Sequence, residues 1–457
     1  MRLDRIMIAA TSSGSGKTTI TCGMLKSLKK MGENVISFKC GPDYIDPMYH
    51  EKVLGVSSRN LDTFFTGEET TRKIMADQIY GDELAVIEGV MGLFDGLGGV
   101  REEGSSYHLA RVTKTPIVLV VNAKGMGRSV IPLIAGFLSY DTGHLIKGVI
   151  LNRMSKGAFE ILAPVIKDEL NIEVLGYYPE QKDLVLESRH LGLMIPDEIK
   201  DMQKNLEKIS QKLQETIDIS RLIRIAESSE KLSSCEKSDF VGVTENEAPL
   251  IAVAKDEAFC FYYQDNFKLL KHYGARIQFF SILHDKQLPP GTDGLLIGGG
   301  YPELYLQELS SNLHMKSEIR KAFNGGMPVV AECGGFMYLH EMIEDENGDK
   351  FDMAGVIPGT CRNMGKTVRF GYIEVREKNS NYLPANTGIR GHEFHYFDSS
   401  HNGDDCIAVK PASGKSYGCI IDKKNLFLGF PHLYYPSNPV FAENFVKKTV
   451  EYHRNKR

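Results

Sequence analysis

The sequence predicts an α/β protein with two domains, each built around a largely parallel β-sheet. Short apolar runs alternate with longer amphipathic segments, a pattern typical of βαβ units. The alternation stops near residue 226 and begins again near residue 249, which indicates two domains joined by a linker. The chain has 457 residues, of which 42% are apolar and 25% charged, as expected for two ordinary globular α/β domains.

The first domain contains six apolar runs with the length and composition of strands. Runs such as Pro116–Val121 are almost wholly apolar, as expected for parallel strands buried on both faces. The segment Lys17–Met31 is predicted to be the helix after the first strand, with Ile20, Met24 and Leu28 on one face. The predicted strands are Arg5–Ala10, Val35–Lys39, Leu84–Glu88, Ile117–Asn122, Gly148–Asn152 and Glu173–Tyr177.

The boundary between the domains follows from a loss of periodicity. Residues 196–225 are predicted to be helical, whereas residues 226–248 are rich in Ser, Glu and Lys and are interpreted as a linker. The predicted domains are therefore residues 1–225 and 249–457. In the second domain, residues 340–430 are richer in Gly, Asn and Tyr and are predicted to be more β-like. The strands predicted in the second domain are Leu250–Ala254, Arg276–Ser281, Gly294–Ile297, Pro328–Glu332 and Leu426–Phe430.

The run from Ala10 to Thr18 (ATSSGSGKT) is a candidate phosphate-binding loop. Gly-rich turns before a helix N-terminus direct several backbone N–H groups at phosphate oxygens. We expect Lys17 to reach the β- and γ-phosphates of ATP and the Thr18 hydroxyl to bind Mg²⁺. The spacing departs from the usual motif, but its place between an apolar strand and an amphipathic helix favours the functional interpretation. The predicted ATP-binding residues are Ser13, Gly14, Ser15, Gly16, Lys17, Thr18, Thr19 and Asn152.

Three carboxylates follow predicted strands of the same domain. Asp43 and Asp46 flank Tyr44 after the second strand, and Glu88 ends another strand. Since ligands of open α/β sheets bind at the carboxyl ends of the strands, these side chains are expected near the phosphate loop. We predict Mg²⁺ binding by Thr18, Asp46 and Glu88, and substrate binding by Asp43, Tyr44 and Asp46. The alternative is that the Asp residues only cap turns.

The second domain contains a candidate cysteine nucleophile. Cys333 stands between a predicted strand and a helix, and its small neighbours allow a sharp nucleophile elbow in which the helix N-terminus is expected to lower the thiol pKa. His432 is the predicted base, and the backbone N–H groups of Gly299 and Gly300 are predicted to form an oxyanion hole. His392 and His395 have a spacing seen in metal sites, but no Cys or third His is near in sequence, so a structural hydrogen-bonding role is favoured.

Composition excludes several other classes of protein. The net charge of −5 and the scattered basic residues argue against a nucleic-acid partner. Eight cysteines without paired spacing indicate reduced thiols of a cytoplasmic protein. No apolar stretch of about 18 residues is present, so a membrane partner is not expected.

At these residues the sequence closely resembles the cobyrinic acid a,c-diamide synthase family. The resemblance implies a P-loop NTPase-like domain similar to dethiobiotin synthetase and a class I glutamine amidotransferase-like α/β domain. It also implies that ATP and glutamine are used to convert the a and c acetate groups of cobyrinic acid to amides, with Mg²⁺ as cofactor; a homodimer is left open. The matching segments are Phe38–Pro47, Val86–Gly96, Arg189–Leu193, Ala258–Tyr263, Gly298–Glu303 and Gly391–His395.

One position departs from ordinary class I amidotransferases, and two alternatives for the substrate stay open. Those enzymes carry Glu two residues after the catalytic His, where this chain has Tyr434, so the group that orients His432 is not identified by the sequence. Ni-sirohydrochlorin and hydrogenobyrinic acid are alternative substrates. A P-loop switch ATPase is a more distant alternative, because such proteins carry a lysine at the position of Ser12.

Overall fold

The structure, a computed structural model, describes residues 3–181, 196–232, 248–384 and 387–456. Contacts divide the chain into two compact units, Met1–Lys237 and Ser238–Arg457. The motif Arg189–Leu193 and most of the predicted linker lie outside the described residues, so the predicted boundary at residues 226–248 stays a prediction. In the described ranges, no helix has the length and apolar character needed to cross a membrane.

The N-terminal unit is a seven-stranded parallel sheet in the order β3-β2-β4-β1-β5-β6-β7. The central strand β1 is fully buried, which explains why its residues from Ile6 to Ala10 are all apolar. The strands are β1 (Arg5–Ala10), β2 (Val35–Cys40), β3 (Ser58–Leu61), β4 (Leu84–Glu88), β5 (Ile117–Asn122), β6 (Ile146–Asn152) and β7 (Glu173–Tyr178).

Helices cover both faces of this sheet and bury two apolar clusters. The predicted helix after β1 is confirmed as α1, which packs on α7. The helix α8 ends at Glu227 rather than at residue 225. The helices are α1 (Lys17–Lys30), α2 (Ile45–Lys52), α3 (Thr63–Ala76), α4 (Ser106–Thr113), α5 (Val130–Tyr140), α6 (Lys156–Leu170), α7 (Pro196–Thr216) and α8 (Ile219–Glu227).

The C-terminal unit has a central six-stranded sheet in the order β10-β8-β11-β13-β23-β22, parallel except for the last strand. The five strands predicted for this region are confirmed within two residues at each end. This sheet is formed by β8 (Leu250–Ala254), β10 (Arg276–Phe280), β11 (Thr292–Ile297), β13 (Val329–Glu332), β22 (Ile421–Lys423) and β23 (Leu426–Gly429), and a short β9 (Phe259–Phe261) pairs with β12 (Gly299–Gly300).

Helices pack on the central sheet, and the prediction that residues 340–430 are more β-like is confirmed. Most of the strands in this range pair in antiparallel fashion. The helices are α9 (Gln264–His272), α10 (Leu306–Ser311), α11 (Leu313–Asn324), α12 (Gly334–Leu339) and α13 (Val440–Lys456). Two further sheets, in the orders β15-β14-β16-β19 and β21-β20-β17-β18-β24, contain β14 (His340–Glu344), β15 (Lys350–Asp352), β16 (Ile357–Asn363), β17 (Arg369–Glu377), β18 (Gly388–His395), β19 (Phe397–Ser399), β20 (Cys406–Val409), β21 (Ser416–Cys419) and β24 (His432–Leu433).

Candidate functional site

The phosphate loop lies at the carboxyl end of β1, between the ends of β4 and β5. Gly14 and Gly16 have φ angles of 73° and 93°, in the left-handed region that favours glycine. A Cβ atom on Gly16 would lie 2.2 Å from Nδ2 of Asn152, which donates a hydrogen bond to the carbonyl of Ser15 at 2.7 Å. The predicted ATP-binding residue Asn152 therefore fixes the shape of the loop from the end of β6.

Lys17 begins α1, and its ammonium group is held by backbone carbonyls. Nζ donates to the carbonyl of Met91 and, at 3.4 Å, to that of Ser12. Met91 has a φ angle of 46°, so the loop after β4 adopts a strained conformation that presents this carbonyl. Burial, followed by the charge of Lys39, lowers the pKa of Lys17 to about 8. A partly desolvated ammonium group at a helix N-terminus is suited to bind phosphate oxygens.

Thr18 and Glu88 form the oxygen pair expected for a magnesium ion. Thr18 Oγ1 donates to Glu88 Oε1 at 2.7 Å. A hydroxyl and one carboxylate, completed by phosphates and water, match the ligands that Mg²⁺ prefers. Asp46, the third predicted ligand, lies against Lys39 instead, with 2.5 Å between Oδ2 and Nζ. Among the described residues, no group of three or more His, Cys, Asp or Glu side chains could hold a metal.

Lys39 and His50 belong to this site but were not identified from the sequence. Lys39 Nζ is 3.1 Å from Glu88 Oε1, and His50 Nε2 is 3.3 Å from Glu88 Oε2. All three side chains are buried. Burial raises the pKa of Glu88, but the charge of Lys39 and the neighbouring His50 outweigh it and hold that pKa below its ordinary value. For Lys39 burial lowers the pKa, whereas Asp46 and Glu88 raise it well above the usual range.

The predicted substrate residues lie at the start of α2. Asp43 Oδ1 accepts hydrogen bonds from the backbone N–H groups of Ile45 and Asp46 at 2.7 and 3.2 Å, so it caps this helix. Tyr44 is largely buried, and Asp46 is in the first turn. Burial and Glu88 raise the pKa of Asp46 despite the charge of Lys39. The alternative considered in the sequence analysis, that the Asp residues only cap turns, therefore fits Asp43. Asp46 instead belongs to the buried group of charges that includes Lys39 and Glu88.

In the C-terminal unit, Cys333 forms the turn between β13 and α12. It has a φ angle of 46° and a ψ angle of −106°, a strained conformation typical of a nucleophile elbow. A Cβ atom on Gly335 would lie 2.3 Å from the carbonyl oxygen of Ile297, so only glycine permits this approach of α12 to the neighbouring strand. The sequence pattern therefore folds locally into the predicted elbow.

Gly299, His432 and Cys333 converge at one point. A Cβ atom on Gly299 would lie 2.4 Å from Cε1 of His432 and 3.4 Å from Cβ of Cys333. The backbone nitrogen of Gly300 would be 3.3 Å from a Cβ atom on Gly334. The predicted nucleophile, base and oxyanion-hole glycines are thus neighbours, and the N–H group of Gly334, which was not predicted from the sequence, hydrogen-bonds to the thiol.

The expectation that the elbow lowers the pKa of Cys333 is wrong. Burial, followed by the nearby carboxyl group of Glu303, raises the thiol pKa well above its ordinary value. Burial also lowers the pKa of His432 well below its ordinary value, and His392 and His395 add to this effect. The short helix α12 does not compensate for desolvation of a thiolate. Both partners are therefore neutral at pH 7, so His432 is available to accept the thiol proton.

These features define a class of protein with a phosphate-binding centre in one unit and a thiol–imidazole centre in the other, as in glutamine-dependent amidoligases. Residues 6–193 match the family model described as CobQ/CobB/MinD/ParA nucleotide binding domain. Residues 250–439 match the model described as CobB/CobQ-like glutamine amidotransferase domain.

Curated relatives match nearly the full chain. The chain is 38% identical to the cobyrinate a,c-diamide synthase of Dehalococcoides mccartyi (strain CBDB1), over 99% of both chains. It is 41% identical to that of Caldanaerobacter subterraneus subsp. tengcongensis, over 93% of this chain and 94% of the relative, and 37% identical to that of Priestia megaterium, over 97% and 96%. The chain belongs to the cobyrinate a,c-diamide synthase family.

Proposed function

We propose that this protein converts the a and c acetate carboxylates of cobyrinic acid to amides, using ATP and glutamine. The observation that carries the proposal is the presence of two separate reaction centres in one chain: Lys17, Thr18 and Glu88 in the nucleotide-binding unit, and Cys333 with His432 in the other. The names of the relatives supply the substrate and favour cobyrinic acid over nickel-sirohydrochlorin and hydrogenobyrinic acid.

The nucleotide-binding unit activates the carboxylate. A carboxylate oxygen attacks the γ-phosphorus of ATP, the bond to the bridging oxygen breaks, and an acyl phosphate and ADP form. Lys17, with the N–H groups of the loop from Ser13 to Gly16, stabilises the charge that spreads over the transferring phosphoryl group. The same loop, together with Thr19, holds the phosphates, while Asn152 maintains its shape.

A magnesium ion fits this centre, and Thr18 and Glu88 would hold it. When bound, the ion would neutralise charge on the phosphates and orient them. Asp46 as a third ligand stays a prediction, since its carboxylate pairs with Lys39. The binding of the tetrapyrrole side chain by Asp43, Tyr44 and Asp46 also stays a prediction. It is supported by their place at the start of α2, where both Asp carboxylates lie near Lys39.

The C-terminal unit releases ammonia from glutamine. His432 takes the proton of Cys333 as the sulfur attacks the amide carbon. The backbone N–H groups of Gly299, Gly300 and Gly334, which lie close to Cys333, are proposed to stabilise the developing oxyanion. The C–N bond then breaks, ammonia leaves with the proton from His432, and water hydrolyses the thioester to glutamate. Ammonia attacks the acyl phosphate, forming the amide and inorganic phosphate.

The two centres can be separated by substituting the nucleophile. Cys333→Ala is expected to abolish amidation with glutamine and to retain amidation with ammonium salt, because the acyl phosphate site is intact. The measurement is mass spectrometry of the tetrapyrrole products with each nitrogen source. Lys17→Ala is the matched control and should lose both reactions while still hydrolysing glutamine. An equal loss of amidation with glutamine and with ammonium salt in Cys333→Ala would contradict the proposal.

A further inference from the structure

The position occupied by Glu in ordinary class I amidotransferases has a different partner here. The hydroxyl of Tyr434 donates to Asp265 Oδ2 at 3.0 Å, and both side chains are buried. Tyr434 also packs edge-to-face on Tyr263, with ring centroids 5.0 Å apart. Tyr434 is thus tied to α9, and the ring of His432 must be oriented by another neighbour.

His392 lies directly across the sheet from His432. The two residues are opposite each other in the antiparallel pair formed by β18 and β24. Their rings are stacked, with centroids 4.9 Å apart and planes inclined by 14°. The strands approach so closely that a Cβ atom on Gly391 would lie 2.1 Å from the carbonyl oxygen of His432. The backbone therefore holds the two imidazoles face to face.

The ring of His392 is itself held in place. Its Nδ1 is 3.1 Å from the hydroxyl of Tyr263, with which it shares a hydrogen bond, and both residues are buried. A planar group fixed in this way restricts rotation of the ring stacked on it, because the neighbouring ring can keep its contact only in a parallel orientation. His432 also lies close to Gly299 and to Phe261, whose ring centroid is 6.4 Å away.

We propose that His392 is a positioning residue of the glutaminase centre: its ring face sets the plane of His432 and directs that imidazole at Cys333. The role concerns the glutamine-hydrolysing step and rests on the proposed function of Cys333 and His432. It assigns to the stacked histidine the orienting task that a carboxylate performs in a Cys–His–Glu triad. It replaces the structural hydrogen-bonding role that the sequence favoured for His392.

The surroundings of His432 agree with a pair of neutral rings. The titratable groups that face it are Cys333, His392, His395 and the carboxylate of Glu393. Burial and then Lys410 lower the pKa of His392 to about 3. Two imidazolium ions could not stack at this distance without strong repulsion, so a neutral His392 also keeps His432 a proton acceptor.

The test compares His392→Phe with His392→Ala in the full chain. Phenylalanine retains a flat ring face but has no ring nitrogen, whereas alanine removes the face. We expect His392→Phe to retain the parental kcat for glutamine hydrolysis within about threefold and His392→Ala to lose about 100-fold, mostly in kcat rather than KM, since a misplaced catalytic group costs about this much. Amidation with ammonium salt is the control and should be unchanged in both variants.

The pH profile gives a second readout. In His392→Ala, water that enters beside His432 should relieve the burial that lowers its pKa, so the acidic limb of the kcat profile for glutamine hydrolysis should move to higher pH. In His392→Phe the limb should stay near its parental position, because the burial is kept. If His392→Ala does not fold, His392→Leu, which is apolar but has no flat face, replaces it: the same loss of kcat is expected, while the acidic limb should stay near its parental position because leucine keeps His432 buried.

Two results would overturn the proposal. One is parental kcat and pH profile in the variant without a ring. The other is a loss of kcat for glutamine hydrolysis in His392→Phe as large as that in His392→Ala, which would show that the ring face is not what positions His432. The assay needs only glutamine, so a parent that hydrolyses glutamine without amidating cobyrinic acid would refute the proposed function and leave the test of His392 valid.

Discussion

Lys39 places a buried ammonium group between the carboxylates of Asp46 and Glu88, with Nζ 2.5 Å from the first and 3.1 Å from the second. Three acidic side chains at one edge of a sheet would repel each other without such a cation. His50 Nε2 lies 3.3 Å from Oε2 of Glu88, and the His50 ring shares a hydrogen bond with Ser37 Oγ at 2.7 Å. The position of the Glu88 carboxylate next to Thr18 is thus maintained by a network of buried side chains.

This network gives different expectations for its two carboxylates. Glu88→Gln should raise the Mg²⁺ concentration needed for half-maximal ATP-dependent amidation and lower the maximal rate by about 100-fold, because a charged oxygen beside Thr18 is lost. Asp46→Asn should instead change the products, with monoamide accumulating. The measurement is a magnesium titration combined with mass spectrometry of products.

Glutamine hydrolysis at Cys333 is the internal control for these two variants and should remain at the parental rate. A titration and a product pattern identical to the parent in both would show that these carboxylates serve only the fold.

The sequence alone identifies some residues of the two sites but not others. Cys333, His432 and the two glycines stand in patterns with a local meaning, a turn after a strand or a glycine pair, and the structure brings them together. Lys39 and His50 carry no such pattern, since a lysine in a strand is usually exposed. Their burial depends on β4 lying beside β2, with Lys39 directly opposite Glu88, which is a property of strand order. The pKa of Cys333 was mispredicted for a related reason, because burial is set by tertiary packing.

At the scale of elements, the periodicity of the sequence predicts six of the seven strands in the sheet of the N-terminal unit but misses β3. Its sequence SRNL is neither apolar nor alternating, and it forms the edge of the sheet, where one side lacks a neighbouring strand. The five strands between β3 and the other edge strand, β7, are mostly buried between the helices and are therefore largely apolar. Sheet order could not be predicted in the same way, because the apolar runs do not specify which strand is the neighbour of which.

The elbow between β13 and α12 depends on a close approach of two elements. Gly335→Ala is expected to lower glutamine-dependent amidation by at least about 100-fold, because its Cβ would meet the carbonyl of Ile297 and displace Cys333 from His432. The reaction with ammonium salt should persist. The measurement is the ratio of the two rates.

Gly157→Ala is the matched control for this substitution. Gly157 lies in α6 with no atom within 4 Å of its added Cβ, so the ratio should be unchanged. A parental ratio in Gly335→Ala would mean that the elbow tolerates displacement of α12 and that its geometry does not limit glutamine hydrolysis.

At the scale of the whole molecule, each unit has its own apolar interior. Of the four clusters of buried hydrophobic residues in the described ranges, two consist only of residues of the first unit and two only of residues of the second. Each unit thus has a stabilising core of its own, and a ligand that binds one unit should stabilise that unit directly.

ATP with Mg²⁺ should therefore slow amide hydrogen exchange mainly in the nucleotide-binding unit. At about 100 times its Kd, a ligand adds about 2.7 kcal/mol to the stability of the state that binds it. We expect this protection in peptides from α1, β1 and β4, which surround the phosphate loop, and little change in β8 and β23 of the other unit. Lys17→Ala is the control: weaker nucleotide binding should reduce the protection at equal ATP concentration.

Equal protection of both units would show that nucleotide binding stabilises the chain as one cooperative body, in spite of its separate cores. Protection that survives unchanged in Lys17→Ala would show instead that the lysine contributes to phosphoryl transfer without holding the bound nucleotide.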